Sequence, residues 1–214
     1  ESTTTTVKNT DDDSYGLTIS ETGNTDGSGN LLTTEAGSSS TFTVVLNAQP
    51  TDTVTVSITG LDTTENSLDT DTLSFSTANW NTPQTVTVTG VDDNLVDGDI
   101  TTTLTATASN TGGYAGTEST TTTVKNTDDD TYGITIAQTG STSGSDLLTT
   151  EAGSSTTFTV VLDAQPTANV TVSITGLDTT ENSLSPDTLT FTTAHWNTPQ
   201  TVTVTGVDDT LVDG

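Results

Sequence analysis

The sequence predicts an all-β protein made of tandem antiparallel β-sandwiches with Greek-key topology. Three observations carry this prediction. Apolar and polar residues alternate in short runs, segments rich in Gly, Asn, Asp and Pro separate these runs, and the whole pattern recurs along the 214 residues. Alternation with a period of two is typical of strands that bury one face, and no segment shows a helical period.

The recurrence defines the predicted domains. DDDSYGLTI at residues 11–19 returns as DDDTYGITI at 128–136, and LLTTEAGSS at 31–39 returns at 147–155. The distance from Asp11 to Asp128, 117 positions, is an ordinary size for one domain. We expect the chain to be an excerpt from a longer tandem array. It divides into the C-terminal strand of a preceding repeat at 1–13, a complete repeat at 14–130 and a second repeat at 131–214 that is truncated before its last strands.

The first half of a repeat contains four predicted strands. YGLTIS (15–20) and LLTTE (31–35) are short runs bounded by turn residues, and TFTVVL (41–46) alternates clearly. TVTVSITG (53–60) places Val and Ile on one face and Ser and Thr on the other. Thr is β-branched, so it fits the pleat and stays hydrated on the outer face, which explains how a chain with few large apolar residues forms sheets.

The second half of a repeat adds four more strands with the same alternation: TLSF (72–75), QTVTVTGV (84–91), ITTTLTATA (100–108) and STTTTVKN (119–126). Thr is again the outward residue almost throughout. Seven or eight short strands separated by turn residues are typical of an immunoglobulin-like antiparallel sandwich.

Composition and residue usage exclude several functions. Two Lys and Arg residues stand against 29 Asp and Glu residues, and the net charge of -27 excludes a nucleic-acid backbone as partner. No window approaches the roughly 18 apolar residues of a membrane span, so we expect no membrane insertion in this segment. We expect no enzyme, because the single histidine, His195, corresponds to Asn79 in the first copy and no nucleophile with a base can be assembled.

The acidic residues are concentrated at the ends of the predicted strands. Alternate connections of a sandwich return to the same end, so acids that follow alternate strands converge there. Ca²⁺ takes about six to eight oxygen ligands at roughly 2.3 to 2.6 Å and selects carboxylates. Zinc and copper are poor candidates, because the chain has no Cys and no His cluster. The alternative interpretation is that these acids form a solvated, solubilising surface.

Three stretches, in this order, resemble the Calx-β family: TEAGSSSTFTVVL, LSFSTANWNTPQTVTVTGVDDNLVDGD and TTTVKNTDDD. This family consists of Ca²⁺-binding sandwiches that occur in tandem in very large bacterial surface and adhesin proteins. Two departures are visible. Glu35-Ala36-Gly37 replaces the usual Glu-Gly-Gly, and the run after Asp92 and Asp93 is less acidic.

The resemblance implies a set of Ca²⁺ ligands in each repeat. In the first repeat they are Glu35, a residue of the loop that follows the third strand of the family (Asp62 or Glu65), Asp92, Asp93, Asp97, Asp128, Asp129 and Asp130. In the second repeat the corresponding positions are Glu151, Asp178, Glu181, Asp208, Asp209 and Asp213, and the acid triplet is missing. The number of ions and the choice between Asp62 and Glu65 stay open.

The resemblance also implies a function. We expect a structural, non-enzymatic repeat in an extended stalk or filament of a secreted or cell-surface giant protein, with Ca²⁺ making the junctions between domains rigid. Its partners would be neighbouring repeats of the same chain, and other copies if it forms filaments. Two alternatives remain. One is an adhesive module that presents Trp80 loops or Thr faces to glycan, ice or a partner protein. The other is a fibre subunit in which residues 1–13 complete a neighbour's sandwich by strand addition.

Overall fold

The computed structural model describes residues 1–210, so the predicted ligand Asp213 lies outside the described residues. The described residues form seventeen strands and no helix, which confirms the predicted all-β fold class. None of them belongs to a helix that could cross a membrane. The chain divides into two compact units. The first comprises Glu1–Asp93 and Asp97–Asp129, and the second comprises Asn94–Val96 and the chain from Asp130 onward.

The first unit is a sandwich of two sheets. Its strands are β1 (Leu17–Glu21), β2 (Leu31–Thr34), β3 (Ser39–Leu46), β4 (Val54–Thr59), β5 (Asn66–Leu68), β6 (Thr72–Phe75), β7 (Gln84–Gly90), β8 (Ile100–Ala108) and β9 (Ser119–Thr127). One sheet has the order β1-β3-β7-β5, and the other has the order β2-β9-β8-β4-β6. All eight predicted strands are present within a few residues of their predicted bounds.

The alternation of apolar and polar residues along the strands builds the core of the first unit. Val54, Val56 and Ile58 of β4 face inward, as the sequence predicts, and pack with residues from both sheets, among them Phe42 and Leu104. The intervening Thr and Ser residues are half-buried or exposed. Burial of the apolar face therefore holds the two sheets together, while the hydroxyl face stays in contact with solvent.

Two features of the first unit differ from the prediction. β5 is a strand that the sequence does not predict, because Asn and Ser are unfavourable in strands and only the tertiary pairing with β7 holds this short segment. In addition, β2 and β9 pair in parallel, with Leu31 opposite Val124. A parallel pair needs a long connection. The chain supplies one, because most of the unit lies between these two strands.

The second unit repeats part of this pattern. Its strands are β10 (Ile134–Gln138), β11 (Thr142–Ser143), β12 (Asp146–Leu147), β13 (Ser155–Leu162), β14 (Val170–Ser173), β15 (Asn182–Ser185), β16 (Thr188–Phe191) and β17 (Gln200–Gly206). The sheet β10-β13-β17-β15 matches β1-β3-β7-β5 of the first unit, whereas β14 pairs with β16 alone. Among residues 131–210, no strand stands in the places of β8 and β9.

Residues 1–13 form no strand, and their side chains are exposed. The sequence predicts a strand there. A strand exists only through pairing with a neighbour, and no described strand pairs with this segment. Its predicted origin in a preceding repeat stays a prediction.

Candidate metal centre

The first candidate group of metal ligands consists of Glu65, Asp93 and Asp97. One carboxylate oxygen from each residue lies within 4.8 Å of the others. Glu65 directly precedes β5, and the two aspartates lie in the connection after β7. The pairing of β5 with β7 brings these positions together, and Val91 N donates a hydrogen bond to Glu65 O at 2.8 Å. The strand that the sequence does not predict therefore helps to position this group.

The second candidate group is formed by Glu35 and Asp129 of the first unit, whose carboxylate oxygens also lie within 4.8 Å of each other. Asp130, the next predicted ligand, is counted with the second unit. Glu35 follows β2 and is only 1% exposed, and the aspartates follow β9. Parallel strands end at the same edge of a sheet, so the pairing of β2 with β9 brings their terminal acids together. Asp129 N donates to Glu35 Oε2 at 3.4 Å, and Glu35 N donates to Thr127 O at 3.1 Å.

Burial and neighbouring carboxylates raise the pKa of both glutamates. For Glu35, loss of hydration is the largest cause, and the charges of Asp128, Asp93 and Asp97 add to it, so its pKa rises to about 7. Burial also raises the pKa of Glu65, and the charges of Asp97, Asp62 and Asp93 follow as further causes. Asp93 and Asp97 therefore act on both glutamates, which links the two groups electrostatically.

A network of buried, hydrogen-bonded polar side chains contacts the carboxylate of Glu65. Asn126 Nδ2 donates to Glu65 Oε2 at 3.3 Å, Thr33 Oγ1 donates to Asn126 Oδ1 at 2.9 Å, and Asn66 Nδ2 donates to Thr33 Oγ1 at 3.1 Å. Thr33, Asn66 and Asn126 are each at most 1% exposed. Asn66 Oδ1 is buried without a hydrogen-bond partner in the structure. Buried polar groups that are hydrogen-bonded in this way fix side-chain orientation, so Glu65 is held in one place.

Gly90 leaves space for this network. A Cβ atom at Gly90 would clash with the carbonyl oxygen of Thr34 and would lie 2.6 Å from Asn126 Oδ1. The backbone of β7 therefore approaches the end of β2 more closely than any side chain allows. Gly206, the corresponding residue of the second unit, meets the carbonyl oxygen of Thr150 in the same way.

Three further predicted ligands within the first unit lie in neither group. Asp62 is exposed, and its Oδ1 accepts hydrogen bonds from Thr64 N at 3.1 Å and Thr64 Oγ1 at 2.7 Å, so it closes a local turn. Asp92 is exposed as well. Asp128 is half-buried, and its Oδ2 accepts a hydrogen bond from Gly98 N at 2.8 Å. Of the two residues between which the sequence could not choose, the structure places Glu65 in a group.

The predicted ligands of the second repeat form no such group among residues 131–210. Glu151 is exposed, in contrast to the buried Glu35. Asp178 closes a turn with Thr180 as Asp62 does with Thr64. The remaining predicted ligands of the second repeat within the described residues are Glu181, Asp208 and Asp209.

The donor set of the first unit fits Ca²⁺. Both groups offer only carboxylate oxygens, which Ca²⁺ prefers and which can bind it through one oxygen or two. Oxygens bound to one Ca²⁺ at roughly 2.3 to 2.6 Å are at most about 5.2 Å apart, so the 4.8 Å limit of both groups is compatible with a shared ion. Zinc sites require a tetrahedral set that usually contains Cys or His, and neither group contains either residue.

No protein-family model and no curated protein matches the chain. Several solved structures are similar at low scores. The calcium binding domain CBD12 of CALX1.1 is 17% identical, with 85% of this chain and 74% of that chain covered and a TM-score of 0.33. A protein of unknown function from Porphyromonas gingivalis W83 is 11% identical, with 89% and 83% covered and a TM-score of 0.36. The E. coli chaperone DraB is 9% identical, with 70% and 92% covered and a TM-score of 0.35. These values assign no family and no function.

Proposed function

We propose that the chain is a non-enzymatic, Ca²⁺-binding β-sandwich repeat that serves as a structural element of a secreted or cell-surface protein. The single observation that carries this proposal is the burial of Glu35 and Glu65 beside further carboxylates at the ends of β2, β7 and β9. Burying carboxylates is unfavourable unless a cation or hydrogen bonds replace their hydration. Among residues 1–210, the hydrogen bonds that the two carboxylates accept are long, 3.4 Å for Glu35 and 3.3 Å for Glu65.

The position of the two groups suggests what the ion does. Asp129 is the last residue of the first unit, so a cation held by Glu35 and Asp129 would fix the segment through which the chain leaves that unit. A repeat with a fixed exit is stiffer than one with a free exit, as a stalk or filament requires. Extracellular modules bind Ca²⁺ with dissociation constants of about 10⁻⁴ to 10⁻³ M, which suffices where Ca²⁺ is abundant.

The test is thermal unfolding of the full chain, observed one unit at a time. The chain has two tryptophans, Trp80 against the first core and Trp196 against the second. In a Trp196→Phe variant, the fluorescence of Trp80 reports the first unit alone. Ca²⁺ is compared with a chelator at matched, high ionic strength, so that screening of the net charge is not mistaken for binding.

We expect Ca²⁺ to raise the Tm of the first unit, by an amount equivalent to about 2.7 kcal/mol at a concentration 100-fold above the dissociation constant. Mg²⁺ is smaller, demands octahedral geometry and gives up its water reluctantly, so it should stabilise the unit less. Equal responses to Ca²⁺, Mg²⁺ and Na⁺ would contradict the proposal and leave the acids as surface charge. The adhesive alternative stays a prediction, which binding of the chain to glycan or ice would support.

A further inference from the structure

β6 and β16 are edge strands at equivalent places in the two units. Among the described strands, β6 pairs with β4 alone and β16 pairs with β14 alone. In the first unit, β8 and β9 lie beyond β4, so the free edge of β6 is formed without them. The outward N–H and C=O groups of an edge strand can pair with a strand of another chain unless other groups cover them.

The hydrogen-bond pattern shows which groups of β6 face its free edge. In an antiparallel pair, successive residues alternately bond the partner strand and point away from it. Ile58 N donates to Asp71 O at 2.8 Å, so in the register of β4 with β6 the backbone of Asp71 faces β4. The backbone groups of Thr72, Ser74 and the next alternate residue, Ser76, therefore point outward.

Side chains of the first unit cover these outward groups. Thr70 Oγ1 donates to Thr72 O at 2.9 Å and accepts from Thr72 N at 3.3 Å. Asn79 Oδ1 accepts from Ser76 N at 2.5 Å, and Asn79 N donates to Ser76 O at 3.3 Å. Gln84 Nε2 donates at 2.8 Å to the outward carbonyl between them. The edge of β6 is therefore closed to an added strand.

The same alternation applies to β16. Ile174 N donates to Asp187 O at 2.9 Å, so in the register of β14 with β16 the backbone of Asp187 faces β14. The backbone groups of Thr188, Thr190 and Thr192 then point outward. These three residues correspond to the outward residues of β6.

The second unit lacks two of the covering side chains. Pro186 stands where the first unit has Thr70, and His195 stands where it has Asn79. Proline has no hydroxyl group to offer, and His195 Nδ1 lies 3.3 Å from the hydroxyl of Thr192. Among residues 131–210, none of the three outward N–H groups bonds a side chain. The edge of β16 is therefore more open than that of β6.

One side chain still covers the edge of β16. Gln200 Nε2 donates to Thr190 O at 2.8 Å, as Gln84 does at the equivalent place of the first unit. Thr190 is the central residue of the outward row. The side chain of Gln200 therefore lies where an added strand would pair.

We propose that the free edge of β16 is a pairing surface for the same edge of a second copy of the chain, and that Gln200 keeps it closed. Antiparallel pairing about a two-fold axis places Thr190 opposite its own copy and Thr188 opposite Thr192. Each outward N–H then meets an outward carbonyl. A carbonyl oxygen has two lone pairs, so Thr192 O, which already accepts from His195 N, can accept a second bond.

Charge favours this surface over others for contact between copies. Two copies of a chain with a net charge of -27 repel each other. Residues 188–207, which include β16, contain no Asp, Glu, Lys or Arg, so the strand has none of the charges that commonly protect an edge. The proposal requires no bound ion and stands independently of the proposed function.

Sedimentation equilibrium of the full chain at several protein concentrations, with chelator and at high ionic strength, measures this association. The informative variant is Gln200→Ala, which uncovers β16. Gln84→Ala is the matched control, because Thr70 and Asn79 still cover the edge of β6. Adding Thr190→Pro to Gln200→Ala removes an outward N–H group and spares the bonds to β14, since proline is tolerated where an edge strand faces solvent.

Two further variants complete the test. Pro186→Thr with His195→Asn, introduced into Gln200→Ala, supplies the side chains that cover the edge in the first unit. The fluorescence of Trp196 in a Trp80→Phe background verifies that the second unit stays folded. If Gln200→Ala unfolds this unit, Gln200→Met replaces it, because methionine keeps the length of the side chain and removes the donor.

We expect Gln200→Ala to raise the dimerisation constant about tenfold, because pairing then breaks no glutamine bond in either copy. Gln84→Ala should associate as the unsubstituted chain does, and Thr190→Pro or the double substitution should return Gln200→Ala to that level. Equal association of Gln200→Ala and Gln84→Ala would overturn the proposal, and so would association of Gln200→Ala that survives Thr190→Pro. The Tm of the first unit with Ca²⁺ decides on the proposed function separately.

Discussion

Asn126 Nδ2 of β9 donates a hydrogen bond of 3.3 Å to Glu65 Oε2, although 61 positions separate the two residues. Both side chains are buried: Glu65 is 5% exposed and Asn126 is 1% exposed. This contact joins a polar position in the middle of one sheet to a carboxylate that borders the other sheet. A candidate ligand is therefore held by the interior of the sandwich as well as by its loop.

Replacing Glu35 by Gln should change stability in opposite directions with and without Ca²⁺. Without the ion, the substitution removes a buried charge, so the first unit should become more stable at pH 8. With Ca²⁺, it removes a ligand, so the gain in Tm should shrink. Glu151→Gln is the matched control, because Glu151 occupies the same position of the second repeat and is exposed. A fall in stability of metal-stripped Glu35→Gln at pH 8 would contradict this account.

The metal-stripped first unit should lose stability as the pH rises. The pKa of Glu35 is raised from an ordinary value of 4.5 to about 7, so its protonated form is favoured in the folded state. Its contribution is complete below pH 4.5 and is lost as the pH rises through about 7. This shift corresponds to about 3 kcal/mol.

The pKa values of Glu65 and Asp97 are also raised, and they act in the same direction. Denaturant unfolding at pH 5 and pH 8, followed by the fluorescence of Trp80 in the Trp196→Phe background, measures the effect. Comparison with Glu35→Gln isolates the part due to Glu35. If both proteins show the same pH dependence, the assignment to Glu35 is wrong.

Replacing Asn126 by Ala should weaken both the fold and the candidate site. The substitution removes the side chain that accepts a hydrogen bond from Thr33 Oγ1 and donates one to Glu65 Oε2. Leaving buried polar groups unsatisfied costs about 1 to 3 kcal/mol of unfolding free energy. Ca²⁺ affinity, measured by calorimetry, should fall because Glu65 loses its orientation. Asn81→Ala, at an exposed position, should change neither quantity.

Replacing Gly90 by Ala should destabilise the first unit by about 1 to 3 kcal/mol, the usual cost of forcing atoms into a packed region. The added methyl group would press on the carbonyl oxygen of Thr34, which is backbone and cannot move alone. Gly27 is the control, because no atom lies within 4 Å of a Cβ placed there. Urea unfolding of both variants gives the comparison, and equal free energies for the two would show that the close approach is not needed.

Most of the fold follows from the period of the sequence. The strand predicted at 53–60 is β4 (Val54–Thr59), and the strand predicted at 100–108 is β8 (Ile100–Ala108). β5 could not be found in this way, because three residues with two polar side chains carry no period. The parallel pairing of β2 with β9 also depends on tertiary structure, since alternation is the same in parallel and antiparallel strands.

The sequence predicted the acidic residues of the candidate site from their position at strand ends, but it did not predict the buried polar network that contacts them. Acids at the ends of strands suggested Glu35 together with the acids after β9, and the structure brings Glu35 close to Asp129. Whether these residues bind Ca²⁺ stays a prediction. The buried network was missed, although a signal existed. Thr33 and Asn126 are in phase with Leu31 and Val124, so the alternation itself places these polar residues on the inner face.

Residues 1–13 and 118–130 have the same sequence, so two copies of one strand can compete for β2 during folding. Chains are synthesised from the N-terminus, so residues 1–13 and β2 are both present before β9 has been made. β9 later arrives joined to β8, with which it pairs from Ile100 to Thr107, whereas residues 1–13 pair with no described strand. Because the two copies are chemically identical toward β2, the pairing of β9 with β8 favours β9 in the sheet.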